Sequence, residues 1–205
     1  MSFSFFPQTV YRVKSKISGL IEVKEQFGRY TLHVQGLIQS GGIIKGIWKK
    51  PLGKVAKTRR VLVLGLGGGT VVQLIKKRHP QAEIVGVEID PEIIKVGKKF
   101  FGLEEIKKLK IINADALKWV SHYRGEKFDL VLVDLYVGSQ FPQEVEERGF
   151  LDGLKRMLAK NGMVIFNRLR IRKDNLELFE EKLKKHFSSV ELVKTITNLF
   201  FLARS

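Results

Sequence analysis

The stretch Val61-Leu-Val-Leu-Gly65-Leu-Gly67-Gly68-Gly69-Thr70 constrains this chain more than any other. Four apolar residues make a short strand buried on both faces. The glycines that follow make a tight turn, and 71–77 carries a helical pattern. Gly65, Gly67 and Gly69 permit φ > 0 and let a bound molecule approach the backbone. A strand that turns on glycines into a helix opens a doubly wound sheet, with the ligand loop at the strand's carboxyl end.

From Arg60 onward strands and helices alternate. Strands are expected at 61–64, 83–87, 109–113, 130–133 and 163–167. Helices are expected at 71–78, 92–101, 116–122, 146–158 and near 175–186, with Gly162 as a helix stop. Short apolar strands separated by helices imply a parallel sheet covered on both faces. Two final strands, 190–193 and 199–203, have no helix between them, so one antiparallel strand is expected at the end of the sheet. The first sixty residues differ. Runs 16–24 and 29–35 are β-rich, with a turn at 25–28; a third strand starts at 37–39, and 43–48 has no decisive period. The expected fold is therefore α/β: a Rossmann-like, doubly wound, mostly parallel sheet with a small N-terminal antiparallel β appendage. The expected domains are 1–57 and 58–205, joined by a linker at 50–58.

In such sheets the ligand binds beyond the carboxyl ends of the strands. Those ends carry the glycine loop, then Glu88-Ile-Asp90-Pro91, Asn113-Ala-Asp115-Ala116, Asp134-Leu-Tyr136 and Asn167-Arg168. Glu88 lies where a carboxylate accepts both ribose hydroxyls of a nucleoside. Asp90, ahead of Pro91, fits a helix cap. Asp115 fits a cap as well, and its place also suits an adenine amino group. No Lys-Ser/Thr follows the glycines, so this is not a P-loop. Thr70 stands where a dinucleotide loop usually has its last glycine, so an adenosyl ligand without phosphate fits better.

These stretches resemble the spermidine synthase-like family within the class I S-adenosylmethionine-dependent transferases. The matching runs are Val61 to Gly69, Val85-Gly-Val-Glu-Ile-Asp-Pro91, Asn113-Ala-Asp-Ala116, Phe128-Asp-Leu-Val-Leu-Val-Asp134 and Phe150 to Gly162. Phe27-Gly28, Gly36 and Gln39 resemble that family's N-terminal hairpin domain. The resemblance implies Glu88 on the ribose, Asp115 and Ala116 on the adenine, and Gln39 on the thioether side. It also implies S-adenosylmethionine or its decarboxylated form as the small-molecule donor, and a homodimer. Aminopropyltransferases of the family carry an Asp at the place of Gly68 and a second Asp at the place of Val137. Their acidic and Tyr-His-Glu residues after Gln39 have no counterpart in 40–48. The loss favours methyl transfer from the intact donor, its carboxylate held by amides of the glycine loop. Aminopropyl transfer and non-catalytic nucleoside binding stand as alternatives. Asp134 is the candidate to orient or deprotonate the acceptor, and Tyr136 is a candidate for the acceptor pocket. Asn167 is a candidate for the acceptor pocket, and Phe141-Pro142 for a lid.

Composition bounds the rest. The chain of 205 residues has no cysteine, so thiolate chemistry is excluded, and its four histidines are scattered, so no metal is expected. No apolar run is long enough to span a membrane, and no signal peptide is apparent, which together suggest a cytoplasmic protein. The net charge of +16 is uneven, concentrated in 1–60 and in Arg168, Arg170, Arg172 and Lys173. A polyanion such as RNA is a candidate acceptor or partner.

Overall fold

The computed structural model describes residues 5–136, 140–170 and 176–205. Val137, Arg172 and Lys173 lie outside the described residues.

The N-terminal part is an antiparallel meander, β1 (Gln8–Ser15), β2 (Gly19–Gln26), β3 (Arg29–Val34) and β4 (Leu37–Ser40), paired in that order. Alternation buries Ile21, Val23, Leu32 and Val34 on one face, where they meet Ile93 and Val96 of helix α3 (Pro91–Phe101). β1 was not expected as a separate strand. It sits at the sheet edge and is exposed along most of its length, so its sequence lacks a buried apolar row.

The undecided run after β4 is helix α1 (Gly42–Leu52). Pro51 lies in its last turn, so the expected linker shortens to 53–59. α1 buries Trp48, Pro51 and Leu52. The Trp48 ring meets Phe200 edge-on at 4.8 Å, so this helix, which falls within 1–57, packs on the larger sheet.

That sheet has seven strands: β5 (Arg60–Leu64), β6 (Glu83–Glu88), β7 (Leu109–Asn113), β8 (Phe128–Val133), β9 (Leu158–Leu169), β10 (Ser189–Lys194) and β11 (Asn198–Arg204). Their order is β10-β11-β9-β8-β5-β6-β7. β5 through β9 pair in parallel. β5 sends Leu62 and Leu64 into one apolar core and Val61 and Val63 into the other. The first core lies under α4 (Ala116–His122), α5 (Arg148–Met157) and α6 (Leu176–His186). The second lies under α1 and α2 (Thr70–Arg78). The doubly wound expectation holds.

Two details correct the expectation. The antiparallel strand β11 is not terminal; it is inserted between β9 and β10. Its six residues from Asn198 to Ala203 are all buried, whereas β10 alternates with solvent, so β10 takes the edge. Gly162 is not a helix stop. α5 ends at Met157 and β9 begins at once, with an irregularity opposite Phe128 in which Asn161 takes φ 63°. A Cβ on Gly162 would lie 2.9 Å from the Ala159 carbonyl oxygen. Among the described residues no helix is long and apolar enough to cross a membrane.

Candidate active site

The carboxyl ends of the parallel strands, the N-termini of α1 and α2 and the segment 140–148 enclose a cleft of about 1340 Å³. Its walls include Gln39, Gly65, Gly67, Glu88, Asp115, Ala116, Asp134 and Tyr136. These were all expected at the site, and the fold brings them together. Gly69 does not face the cleft; it caps α2 at φ 83°, where a Cβ would strike the Leu103 side chain. Gly65 has φ 85°, and a Cβ there would lie 2.2 Å from the Asp134 carbonyl oxygen. Glycine is therefore what lets the ends of β5 and β8 meet.

Glu88 is buried, and its carboxylate organises the loop. One oxygen accepts from the amides of Leu66 (3.1 Å) and Gly67 (3.0 Å), the other from that of Asp90 (3.1 Å). Burial raises its pKa, and these three amides oppose the rise. Oε2 is filled by its two amides, and Oε1 keeps one further lone pair for a hydroxyl in the cleft. Asp90 caps α3 through the Glu92 amide at 2.9 Å, and Asp115 caps α4 through the Leu117 amide at 2.8 Å.

The expectation that loop amides hold a donor carboxylate is corrected. The Leu66 and Gly67 amides are on Glu88, that of Gly69 donates to the Leu66 carbonyl at 3.0 Å, and that of Gly68 donates to Ser40 Oγ at 2.9 Å. Ser40 fills the space beside Gly68, where a Cβ would come within 2.9 Å of both Ser40 Cβ and Oγ. The Gly41 amide also donates to Thr70 Oγ1 at 3.0 Å, so the end of β4 is fastened to the loop at two points.

Asp134 lies at the floor of the cleft. Burial raises its pKa to about 6; a hydrogen bond from Asn167 opposes this, and the Glu88 charge adds to it. The Asn167 side-chain amide donates to Oδ1 at 2.7 Å, and that of Asn198 donates to the Asn167 oxygen at 2.7 Å. Asn167 thus lies behind Asp134 rather than in an acceptor pocket, which corrects its expected place. The Tyr136 hydroxyl donates to the Asn167 carbonyl at 2.9 Å, and its ring meets Phe141 edge-on.

Several contributors escaped sequence reasoning. Arg168, expected as a surface cation, is 3% exposed. Its guanidinium pairs with Glu146 at 2.6 Å and lies 3.9 Å over Phe141. Lys182 of α6 reaches the other Glu146 oxygen at 3.1 Å. Glu144 and Glu147 line the cleft and have no cation partner among the described residues. The signal for them was the acidic run Glu144 to Glu147, of which only 146 and 147 fall in the expected helix 146–158. No group of three or more His, Cys, Asp or Glu suited to a metal occurs among the described residues.

Comparison with known proteins places this geometry. A polyamine aminopropyltransferase of Vibrio vulnificus is 28% identical over 113 residues, 54% of this chain and 38% of the relative. An eEF1A lysine and N-terminal methyltransferase homolog of Drosophila melanogaster is 34% identical over 115 residues, 52% of this chain and 17% of the relative. The chain therefore matches well under two thirds of the length of these curated relatives. A probable spermidine synthase from Corynebacterium glutamicum superposes with TM-score 0.80 at 17% identity, covering 96% of this chain and 80% of that one. Human methyltransferase-like protein 13, solved with SAH, superposes with TM-score 0.64 at 23% identity, covering 71% of each. These likenesses show the shared fold. The family model described as the spermine/spermidine synthase domain matches residues 45–200, most of the chain and all five strand ends that build the cleft, and the chain belongs to that family.

Proposed function

We propose that this chain is a transferase that takes a methyl group from S-adenosylmethionine and delivers it to an amine nitrogen. The cleft volume of about 1340 Å³ exceeds the usual range for one small ligand and suits donor and acceptor side by side. Glu88, Asp115 and Ala116 hold the adenosyl part in this reading, and Gln39 faces the thioether side. The charge of the cleft supports cationic reactants, a sulfonium and an ammonium. Arg168 and Lys182 are consumed by Glu146, and Arg148 faces Asp152, which leaves Glu144 and Glu147 in excess. The same acidic rim disfavours RNA phosphates, so RNA is not the acceptor proposed.

The observation that carries methyl over aminopropyl transfer is the contact of Ser40 with Gly68. It leaves no room for the carboxylate that family aminopropyltransferases place there, and so no counter-charge for an aminopropyl ammonium. In the methyl reaction the ammonium first gives a proton to the Asp134 carboxylate, and the freed nitrogen lone pair attacks the methyl carbon in line with the sulfur. The C–S bond breaks, its electron pair neutralises the sulfonium, and the product leaves as a methylammonium. Asn167 occupies Oδ1 of Asp134, and Asp134 lines the cleft. Above pH 6 Asp134 is charged and able to accept that proton.

Aminopropyl transfer is the second reading, favoured by Glu144 and Glu147, which suit a polyamine equally well. Calorimetric titration with S-adenosylmethionine and with its decarboxylated form separates the two. Tighter binding of the intact donor is expected. Tighter binding of the decarboxylated donor overturns the methyl assignment, and binding of neither overturns the transferase reading. The homodimer implied by family resemblance is part of this proposal and is tested by sedimentation.

A further inference from the structure

Between Glu25 and Glu83 the sequence has no acidic residue and eleven lysines and arginines. The fold gathers many of them at one pole. α2 starts at the glycine loop and returns the chain to the amino ends of the parallel strands, whereas α1, linked to it by the Gly41–Thr70 hydrogen bond, crosses toward β10, where Lys50 Nζ donates to the Lys194 carbonyl. The last turn of α2 carries Lys76, Lys77 and Arg78. Lys57 and Arg59 precede β5, and Lys108 precedes β7. This pole is one strand length from the cleft, roughly 17–20 Å.

Three bland explanations are too small. Basic residues complement helix C-termini, but the one such end here, that of α2, supplies only about half a charge. Local ion pairs consume other cations: Arg60 holds Glu83 and Glu126, and Lys54 holds Glu191. Lys57, Arg59, Lys77, Arg78 and Lys108 have no ion pair among the described residues, and the acid beside them, Asp129, accepts from the backbone amides of Arg59 and Arg60. General solubility does not require crowding, yet Lys76 is crowded. Its ammonium donates to the carbonyls of Pro80 and Ala82, and burial and then the Lys108 charge lower its pKa.

We infer that this pole binds the phosphate backbone of a nucleic acid, as a docking surface distinct from the catalytic cleft. A protein partner would need an apolar anchor. The exposed large apolar residues lie elsewhere, none of them in 49–60, 76–82 or 104–110. A phosphate backbone needs only cations. β5, β6 and β7 begin side by side about 4.8 Å apart, so the cations ahead of them span a width that meets two or three phosphates, on the order of 10 Å.

The test uses the full chain, fluorescence anisotropy and two labelled probes, an RNA hairpin and a DNA duplex, titrated with salt. Lys77→Glu/Arg78→Glu/Lys108→Glu is compared with Lys14→Glu/Lys16→Glu/Arg29→Glu on the N-terminal sheet. Both triples change net charge equally, and thermal melts with donor titration check that each remains folded. The expected result is salt-dependent binding by the wild type, weakened about tenfold or more by the pole triple. The slope of log K against log salt should fall by roughly 2–3. The N-terminal triple should lose under threefold. A stronger RNA signal identifies RNA as the ligand, and a stronger duplex signal DNA. Equal losses in the two triples, or wild-type affinity that ignores salt, overturn the proposal.

Discussion

Replacing Asp134 by Asn should stabilise the protein at neutral pH while abolishing transfer. Asp134 has an ordinary pKa of 3.8, raised by burial to about 6. The folded protein therefore holds this proton more tightly than the unfolded chain. Stability from this group is fully present below pH 3.8 and is lost as pH rises through 6. At 1.36 kcal/mol per pH unit the loss is about 3 kcal/mol. The residue keeps some surface on the cleft, and water there reduces the cost to roughly 1–3 kcal/mol. Asparagine carries no charge, and its oxygen still accepts from the Asn167 amide. Urea unfolding of both proteins from pH 3.5 to 8 measures the difference. The variant should match the wild type at the acid end and exceed it by roughly 1–3 kcal/mol at pH 8. Transfer should fall about 100-fold or more, and wild-type transfer should rise with pH through about 6. A variant less stable than the wild type at pH 8, or a difference constant from pH 4 to 7, would refute the argument from desolvation.

Gly68→Asp alone should cost roughly 1–3 kcal/mol by overpacking against Ser40; adding Ser40→Gly should recover stability and move donor preference toward the decarboxylated form, both read by denaturation and calorimetry. Trp48→Ala should cost about 3–5 kcal/mol, because it empties a core site against Phe200; a loss under about 1 kcal/mol would show that α1 is peripheral to the larger sheet. Arg168→Met should leave Glu146 with Lys182 alone, cost about 1–3 kcal/mol and raise the acceptor KM more than it lowers kcat, measured by steady-state kinetics.

The sequence by itself determined the doubly wound sheet and most of its cleft. Those features rest on local rules: a four-residue apolar strand can only be buried on both faces, and glycines spaced by one residue can only turn. Caps at Asp90 and Asp115 were legible for the same reason, since a cap acts within three residues of itself. What only the tertiary structure decided depends on residues far apart in the chain. Ser40 meets Gly68 across 28 positions, Asn198 orients Asn167 across 31, and Glu146 neutralises Arg168 across 22. No periodicity records such contacts. β11 was legible as a strand, but its place inside the sheet came from competition with β10 for burial. Arg168 shows the limit most plainly. In the sequence it is one more positive charge, and in the fold it is a buried ion pair stacked on Phe141, because only packing decides which charges water can reach.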